Sequence, residues 1–438
     1  MLMWANILFN TDRCRRRLQR PVTSTVRPQE VGVNNTVCNE INAALNSILD
    51  HYSNNHQIIF LTDAQRRAEQ FNGIQQKLKD WNKSKNCIYR GCTCKSIKRS
   101  HTIQKSSSIA SVSKNSTTLT PQFNNETGEI TLIPRGLAQA SVFPGFCETH
   151  EALFEKFENT KTLADDESFA LQMYRSICRE VVRLRHEIKH LESTKEKYQK
   201  LRDRSLMEIL RKKLGEEWLQ VNDVKLHGIT FKDDPTLEKI TNSIHGLRST
   251  LSLIESEHLR EIEDAISGVE NDEVRPIVIT VDILFPVALS GIGSFWVQDN
   301  GVHRQVFANM GVYPFQDLNK TIIFLHGRAA DTEFIHGYLG LHKNSFDILG
   351  MIEKFMIRGT DHWFLHPDVW EVKSPNERRE ILAEIFDESK GLEEPVPHSI
   401  FDEIRQKMIE AWENMANLNT KETGVIAYER SKLHKAAV

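Results

Sequence analysis

The chain has 438 residues, 39% hydrophobic and 26% charged, with a formal net charge of −3. That length holds two or three domains, and the composition excludes wholesale disorder, a collagen-like repeat and a multi-pass membrane protein. The near-neutral total hides an asymmetry: residues 1–105 hold 17 Lys and Arg against 7 Asp and Glu, a balance of +10, so the remainder, 39 against 52, carries −13.

The opening Met1 to Phe9 is apolar but lacks a preceding positive region and a small-residue cleavage site, and Arg13, Arg15, Arg16 and Arg17 follow it. It reads as a short docking segment, not a secretory leader. Residues 38–80 read as helical. Ile41, Ala44, Leu45, Ile48 and Leu49 recur at helical spacing, and a second run, Ala64, Ala68, Phe71, Ile74 and Leu78, follows Thr62 as a candidate N-cap. From Ser106 to Thr120 nine of fifteen residues are Ser or Thr, the composition of a loop or an exposed strand.

Residues 167–214 carry a heptad seam, with Val181, Ile188 and Lys195 at a-type positions and Leu184, Leu191 and Tyr198 at d-type positions. The seam is short and includes a lysine, so an αα-hairpin is favoured over an intermolecular coiled coil. In the hairpin, the chain breaks between Gly215 and Pro235, and a return helix over 236–266 presents Leu237, Ile240, Ile244, Leu247, Leu251, Ile254 and Leu259. These central helices are also the candidate surface for a protein partner or self-association.

After Arg275-Pro276 the character changes. Residues 277–284, 294–297, 302–307 and 321–325 read as strands, with Asp299-Asn300-Gly301 as a hairpin turn. The apolar stretch 277–297 is long enough to span a membrane, but Asp282, Pro286, Gly291 and Gly293 interrupt it, and no membrane association is expected. Helices are expected over 345–357, from Ser374 with Pro375 and Glu377 forming a capping box, and over 399–415 with Ile400, Ile404, Met408, Ile409 and Trp412 on one face. The whole is α+β and multidomain. It comprises a basic zinc-binding module with a helical N-terminal part (1–160), a helical hairpin or coiled coil (161–270) and a mixed α+β domain (271–438).

Four of the seven cysteines and one histidine fall in two groups: Cys87, Cys92 and Cys94 in one, Cys147 and His150 in the other. Thiolate and imidazole at Cys-x4-Cys and Cys-x2-His spacing suit tetrahedral Zn²⁺. Cys87, Cys92, Cys147 and His150 are the expected ligands, with Cys94 able to replace Cys92. Gly91 and Gly145 flank the two knuckles, and the Cys-x2-His pair leads into a helical sequence from Glu151, as in a treble-clef finger. His303, His326, His336, His342, His362 and His366 show no ligand spacing and read as core or surface residues. No P-loop or nucleophile elbow occurs, and Gly291-Ile292-Gly293 lacks the third glycine of a dinucleotide fingerprint.

Ser100-His101 between the two knuckles, with a ligand-bearing helix later, resembles HNH-type ββα-metal nucleases over residues 85–158. The resemblance implies that His101 is the general base activating water against a phosphodiester, with a divalent ion such as Mg²⁺ on the substrate. Asn115, Asn124 and Asn125 are open as the loop asparagine, and no Asp-His pair precedes the strand. Two functions follow as expectations. One is a zinc-containing protein acting on DNA or RNA through its basic N-terminal part, in the extreme an HNH-like nuclease effector of bacterial defence. The other is a non-enzymatic interaction protein in which zinc supplies folding energy.

Overall fold

A computed structural model describes residues 35–55, 63–124, 129–222, 234–268, 276–342, 344–385, 391–414 and 420–433. Met1 to Phe9, the Thr62 cap and Asn125 lie outside the described residues. The architecture is α+β. Among the described residues no helix is long and apolar enough to cross a membrane, and the apolar stretch 277–297 forms parts of two antiparallel strands.

The chain divides into two units, each assembled from segments distant in sequence: 79–184 with 251–438, and 4–78 with 185–250. Among the described residues the larger unit forms nine strands, of which β1 (Ser100–His101) and β4 (Val142–Phe143) make a separate antiparallel pair. β2 (Thr117–Phe123), β3 (Ile130–Gly136), β5 (Ile277–Val281), β6 (Val287–Asp299), β7 (Val302–Phe315), β8 (Lys320–His326) and β9 (Trp363–Leu365) make an antiparallel sheet ordered β3-β2-β9-β6-β7-β8-β5.

The β6–β7 hairpin is the centre of this sheet. Asp299 pairs with Val302, and Asn300 (φ 48°) and Gly301 (φ 81°) form the two-residue turn whose left-handed backbone matches strand twist. The strands extend well beyond the ranges read from sequence. Residues 306–315 are buried without alternation, the mark of a strand covered on both faces. One face holds the main core: Leu289, Ala308, Met310, Val312 and Ile323 pack with Leu349, Ile352 and Phe355 from Ser345–Lys354 and the π-helical turn Phe355–Gly359. The Gly291-x-Gly293 pair serves this packing. A Cβ at Gly291 would sit 2.1 Å from Thr360, and one at Gly293 2.8 Å from the Phe355 ring. On the other face the Ser176 hydroxyl meets Ser290 at 2.7 Å and Asn309 at 2.8 Å.

Ser176 belongs to the longest element, a 49-residue helix over Asp166–Leu214. Residues 171–182 are buried all round, including Arg175, Arg179 and Glu180, which are ion-paired. From residue 185 the helix belongs to the second unit, where Ile188 and Leu191 of the seam are buried. The return helix Pro235–Leu253 runs antiparallel to it: Arg202 pairs with Asp234 at 2.7 Å and Glu192 with Arg248. In the same unit, Val37, Ile41, Leu45 and Ile48 of Asn35–Asn55 pack on Leu206 and Leu210.

The Ser/Thr-rich segment departs from expectation. It contains a π-helical turn, Lys105–Ile109, followed by β2, and Ser107, Ser108, Thr118 and Thr120 are buried. The reason is pairing remote in sequence: Leu119 is opposite Leu365, and the Thr118 hydroxyl donates to the Leu365 carbonyl at 3.0 Å. The capping box at Ser374 forms as read. The amphipathic helix expected over 399–415 spans Asp402–Glu413, and helices Thr332–Gly340 and Thr420–Lys432 are additional to those read from sequence.

Candidate metal centre

Backbone pairing builds the first knuckle. The Cys87 amide donates to the Cys94 carbonyl at 2.9 Å, the Cys92 amide to Tyr89 at 3.0 Å, and Gly91 takes the positive φ (76°) the turn needs. The second group is stitched to it: Ile88 N–H donates to the Gly145 carbonyl at 2.9 Å and Ile97 N–H to Phe146 at 2.7 Å. Cys147 then caps the short helix Glu148–Glu151 in extended conformation, its carbonyl accepting from the amides of His150 and Glu151. Phe146 is fully buried against Phe143, Phe154 and Tyr174, which anchors this turn in the core.

The result is a close group of Cys87, Cys92, Cys147 and His150, whose ligand atoms all lie within 4.8 Å of one another. Cys92 Sγ is 3.9 Å from Cys147 Sγ. His150 Nδ1 is 3.2 Å from Cys147 Sγ and 3.5 Å from Cys87 Sγ. Tetrahedral Zn²⁺ with bonds of about 2.3 Å to sulfur and about 2.0 Å to nitrogen spaces its ligands about 3.5–3.8 Å apart, so the set fits that ion. Cys94, the alternative left open by the spacing, is exposed and stands outside the group of four.

Two neighbours prepare the group. The Cys147 amide donates to Cys87 Sγ at 3.3 Å, and the Tyr89 ring stacks on the His150 imidazole at 3.9 Å with only 9° between planes. Burial pushes the Cys87 thiol up to about 11. At Cys147 burial acts in the same direction, but the amides of His150 and Thr149 and the thiols of Cys87 and Cys92 outweigh it and lower its pKa. A bound cation would favour the thiolate form at both.

No known protein family, curated protein or solved structure matches the chain.

His101 stands on β1, opposite Val142. Its Nε2 is buried without a hydrogen-bond partner, and burial, then the Arg175 guanidinium, hold its pKa down to about 4 against the pull of Glu158. Arg175, itself buried, pairs with Glu151 and, at 2.6 Å, with Glu158, and lies 4.4 Å over the Phe154 ring. These partners were not foreseen from sequence; the only signal was an arginine inside an otherwise apolar helical stripe. Among the described residues no second group of three or more metal-capable side chains converges. Asn115 is an exposed turn residue with φ 52°, and Asn124 follows β2.

Proposed function

We propose that residues 85–158 form a treble-clef-like module around a structural Zn²⁺, and that the protein acts on nucleic acid with this module on its phosphate-facing surface. The convergence of three thiols and one imidazole at tetrahedral spacing carries the metal assignment. Four protein ligands close the coordination shell, so this ion contributes folding energy and not Lewis acid chemistry. Around β1 the chain is basic and exposed at Lys95 in the knuckle, at Lys98 and Arg99 before the strand and at Lys105 after it. Among the described residues Lys98, Arg99 and Lys105 have no carboxylate partner. Phosphates would pair with them without displacing a carboxylate, and release of the counterions condensed on the nucleic acid would favour binding.

Cleavage is the extension of this reading. His101 is neutral at pH 7, the state a general base requires, but its Nε2 is enclosed, so an HNH-like role needs the substrate to open that pocket. Binding needs no such opening. A second reading, a zinc-stabilised interaction protein, is supported by Arg175, which ties Glu151 and Glu158 of the module to the long helix as a brace would.

Metal content per chain in wild type and Cys147→Ser, with DNA and RNA binding and Mg²⁺-dependent cleavage on the same samples, separates the outcomes. One zinc lost in the variant, with binding weakened by Lys98→Glu/Arg99→Glu at unchanged zinc content, supports the proposal. Loss of cleavage in His101→Ala with zinc and binding intact adds the nuclease step. Zinc without nucleic-acid binding favours the interaction protein, and absence of zinc refutes the module.

A further inference from the structure

Away from the cysteines, the described residues surround a cavity of about 470 Å³ between β6 and the helices Thr332–Gly340, Ser345–Lys354 and Thr420–Lys432. That volume is in the range of small-molecule sites. Much of its wall is aromatic: Phe295 and Tyr338 stack with centroids 4.5 Å apart, and the Trp296 and Tyr428 rings, each more than half exposed, also line it. Gly337 and Gly350 leave room where side chains would stand, since a Cβ at either meets nothing within 4 Å.

The charges of the wall leave it short of cations. Glu333, Asp347, Glu353, Glu393 and Glu429 line it against Lys354 and Lys432. Glu353 and Glu429 both pair with Arg405, which is fully buried outside the lining, and Glu429 pairs also with Lys432 at 3.0 Å, so these four groups cancel. Glu333, Asp347 and Glu393 then stand against Lys354, three negative charges to one positive, a balance of −2. Arg358 also acts on Lys354, but it is paired with Glu384 at 3.1 Å, and burial keeps His342 neutral at pH 7.

Two features show what would restore the balance. Rings of this wall already carry cations of the protein: Arg304 lies 5.1 Å from the Phe334 centroid and Lys432 4.4 Å from that of Tyr428, whereas the Trp296 ring, the best type of cation acceptor, carries none among the described residues. Beside it, Glu393 accepts from the Trp296 amide and, like Glu333, has no cation in ion-pair range among the described residues. The Glu393 charge also acts on the Tyr338 hydroxyl, which is buried without a hydrogen-bond partner on a side chain only 7% exposed. No three of these carboxylates converge as a metal group, and aromatic rings offer none of the oxygen ligands a hard inorganic cation needs, so an organic cation fits.

We propose that this cavity binds a small primary amine in its ammonium form, with the charged nitrogen at Glu393, the Tyr338 hydroxyl oxygen and the Trp296 ring, and an aromatic body in the space left by Gly337 and Gly350.

The test is isothermal titration of the full chain with tryptamine and with indole-3-propionate, which has the same ring on a short chain and the opposite charge. One saturable tryptamine site per chain is expected, with no measurable binding of the anion. Affinity for tryptamine should fall by about tenfold in Glu393→Gln, which keeps an acceptor for the Trp296 amide, fall in Tyr338→Phe, and be lost in Gly350→Leu, which fills the cavity. It should rise in Lys354→Met, which removes the cation that opposes the ligand. Circular dichroism verifies folding, and Glu393→Gln, an exposed position, keeps the test decisive if Gly350→Leu does not fold. No saturable site, equal affinity for the two indoles, or tryptamine binding unchanged in Glu393→Gln overturns the proposal.

Discussion

At Tyr89 a ring lies flat on the imidazole of His150, and what it does there is positional. A ligand held in one orientation loses less freedom on metal binding, and such outer contacts typically account for about 10- to 100-fold in metal affinity. Tyr89→Ala is expected to weaken zinc binding by about tenfold, measured by competition with a chromophoric chelator, while Tyr89→Phe stays near wild type because the stack uses the ring and not the hydroxyl. Equal losses in both would show that the contact does not orient His150. The four converging positions, Cys87, Cys92, Cys147 and His150, were legible in the sequence as a group, since thiols and imidazole at knuckle spacing have few other uses. Tyr89 and Arg175 were not, because neither stacking on a ligand nor pairing with Glu151 and Glu158 leaves a mark in linear spacing.

Helix Pro375–Glu384 begins where its sequence says it should. Ser374 accepts from the Glu377 amide, the Glu377 carboxylate accepts from the Ser374 amide, and Pro375 occupies a position whose N–H has no intrahelical partner. Such a start is local and therefore readable. Ser374→Ala should cost about 1 kcal/mol in urea unfolding, with unchanged secondary structure. The helix Asp402–Glu413 is fixed by a different kind of interaction. Its Arg405 is fully buried between Glu353 and Glu429, with Ser399 accepting from Nε at 2.9 Å. Arg405→Met leaves Glu353 buried without a counter-charge and Glu429 with Lys432 alone, and should destabilise the larger unit by about 3–5 kcal/mol. A loss below about 1 kcal/mol would mean that water already reaches those carboxylates. The sequence showed the apolar face of this helix and nothing of the triad, whose members lie 24 and 52 positions from Arg405.

Across the larger unit, the sheet explains most of the distance between sequence and fold. β2 and β9 meet at Leu119 and Leu365, a contact between segments that each look unremarkable alone. Hence the Ser/Thr-rich stretch reads as surface and is in fact partly core. The same assembly buries His258 and His326, whose four ring nitrogens all lack hydrogen-bond partners among the described residues. Burial lowers the pKa of His258 to about 3, with His326 and Arg328 adding to the effect, and burial alone lowers that of His326 to about 4. Both are bases with depressed folded values, so the unfolded chain binds protons below its ordinary imidazole value of about 6.5 while the folded chain does not. Stability is thus fully present above that value and falls as the pH drops from 6.5 toward 4 and 3, by at most about 1.4 kcal/mol per pH unit for each ring. Carboxylates such as Glu180, which burial raises but Arg179 and Arg183 hold below the usual range, lose their contribution only below the ordinary carboxylate range. The two causes therefore separate in pH. Urea unfolding at pH 7, 6 and 5 should show a loss that the double variant His258→Leu/His326→Leu reduces, because leucine has no proton to bind in either state, while the rest of the loss comes from other imidazoles that burial depresses, such as His101 and His362. A wild-type stability that stays flat between pH 7 and 5 would show that the two imidazoles reach water or a hydrogen-bond partner in solution.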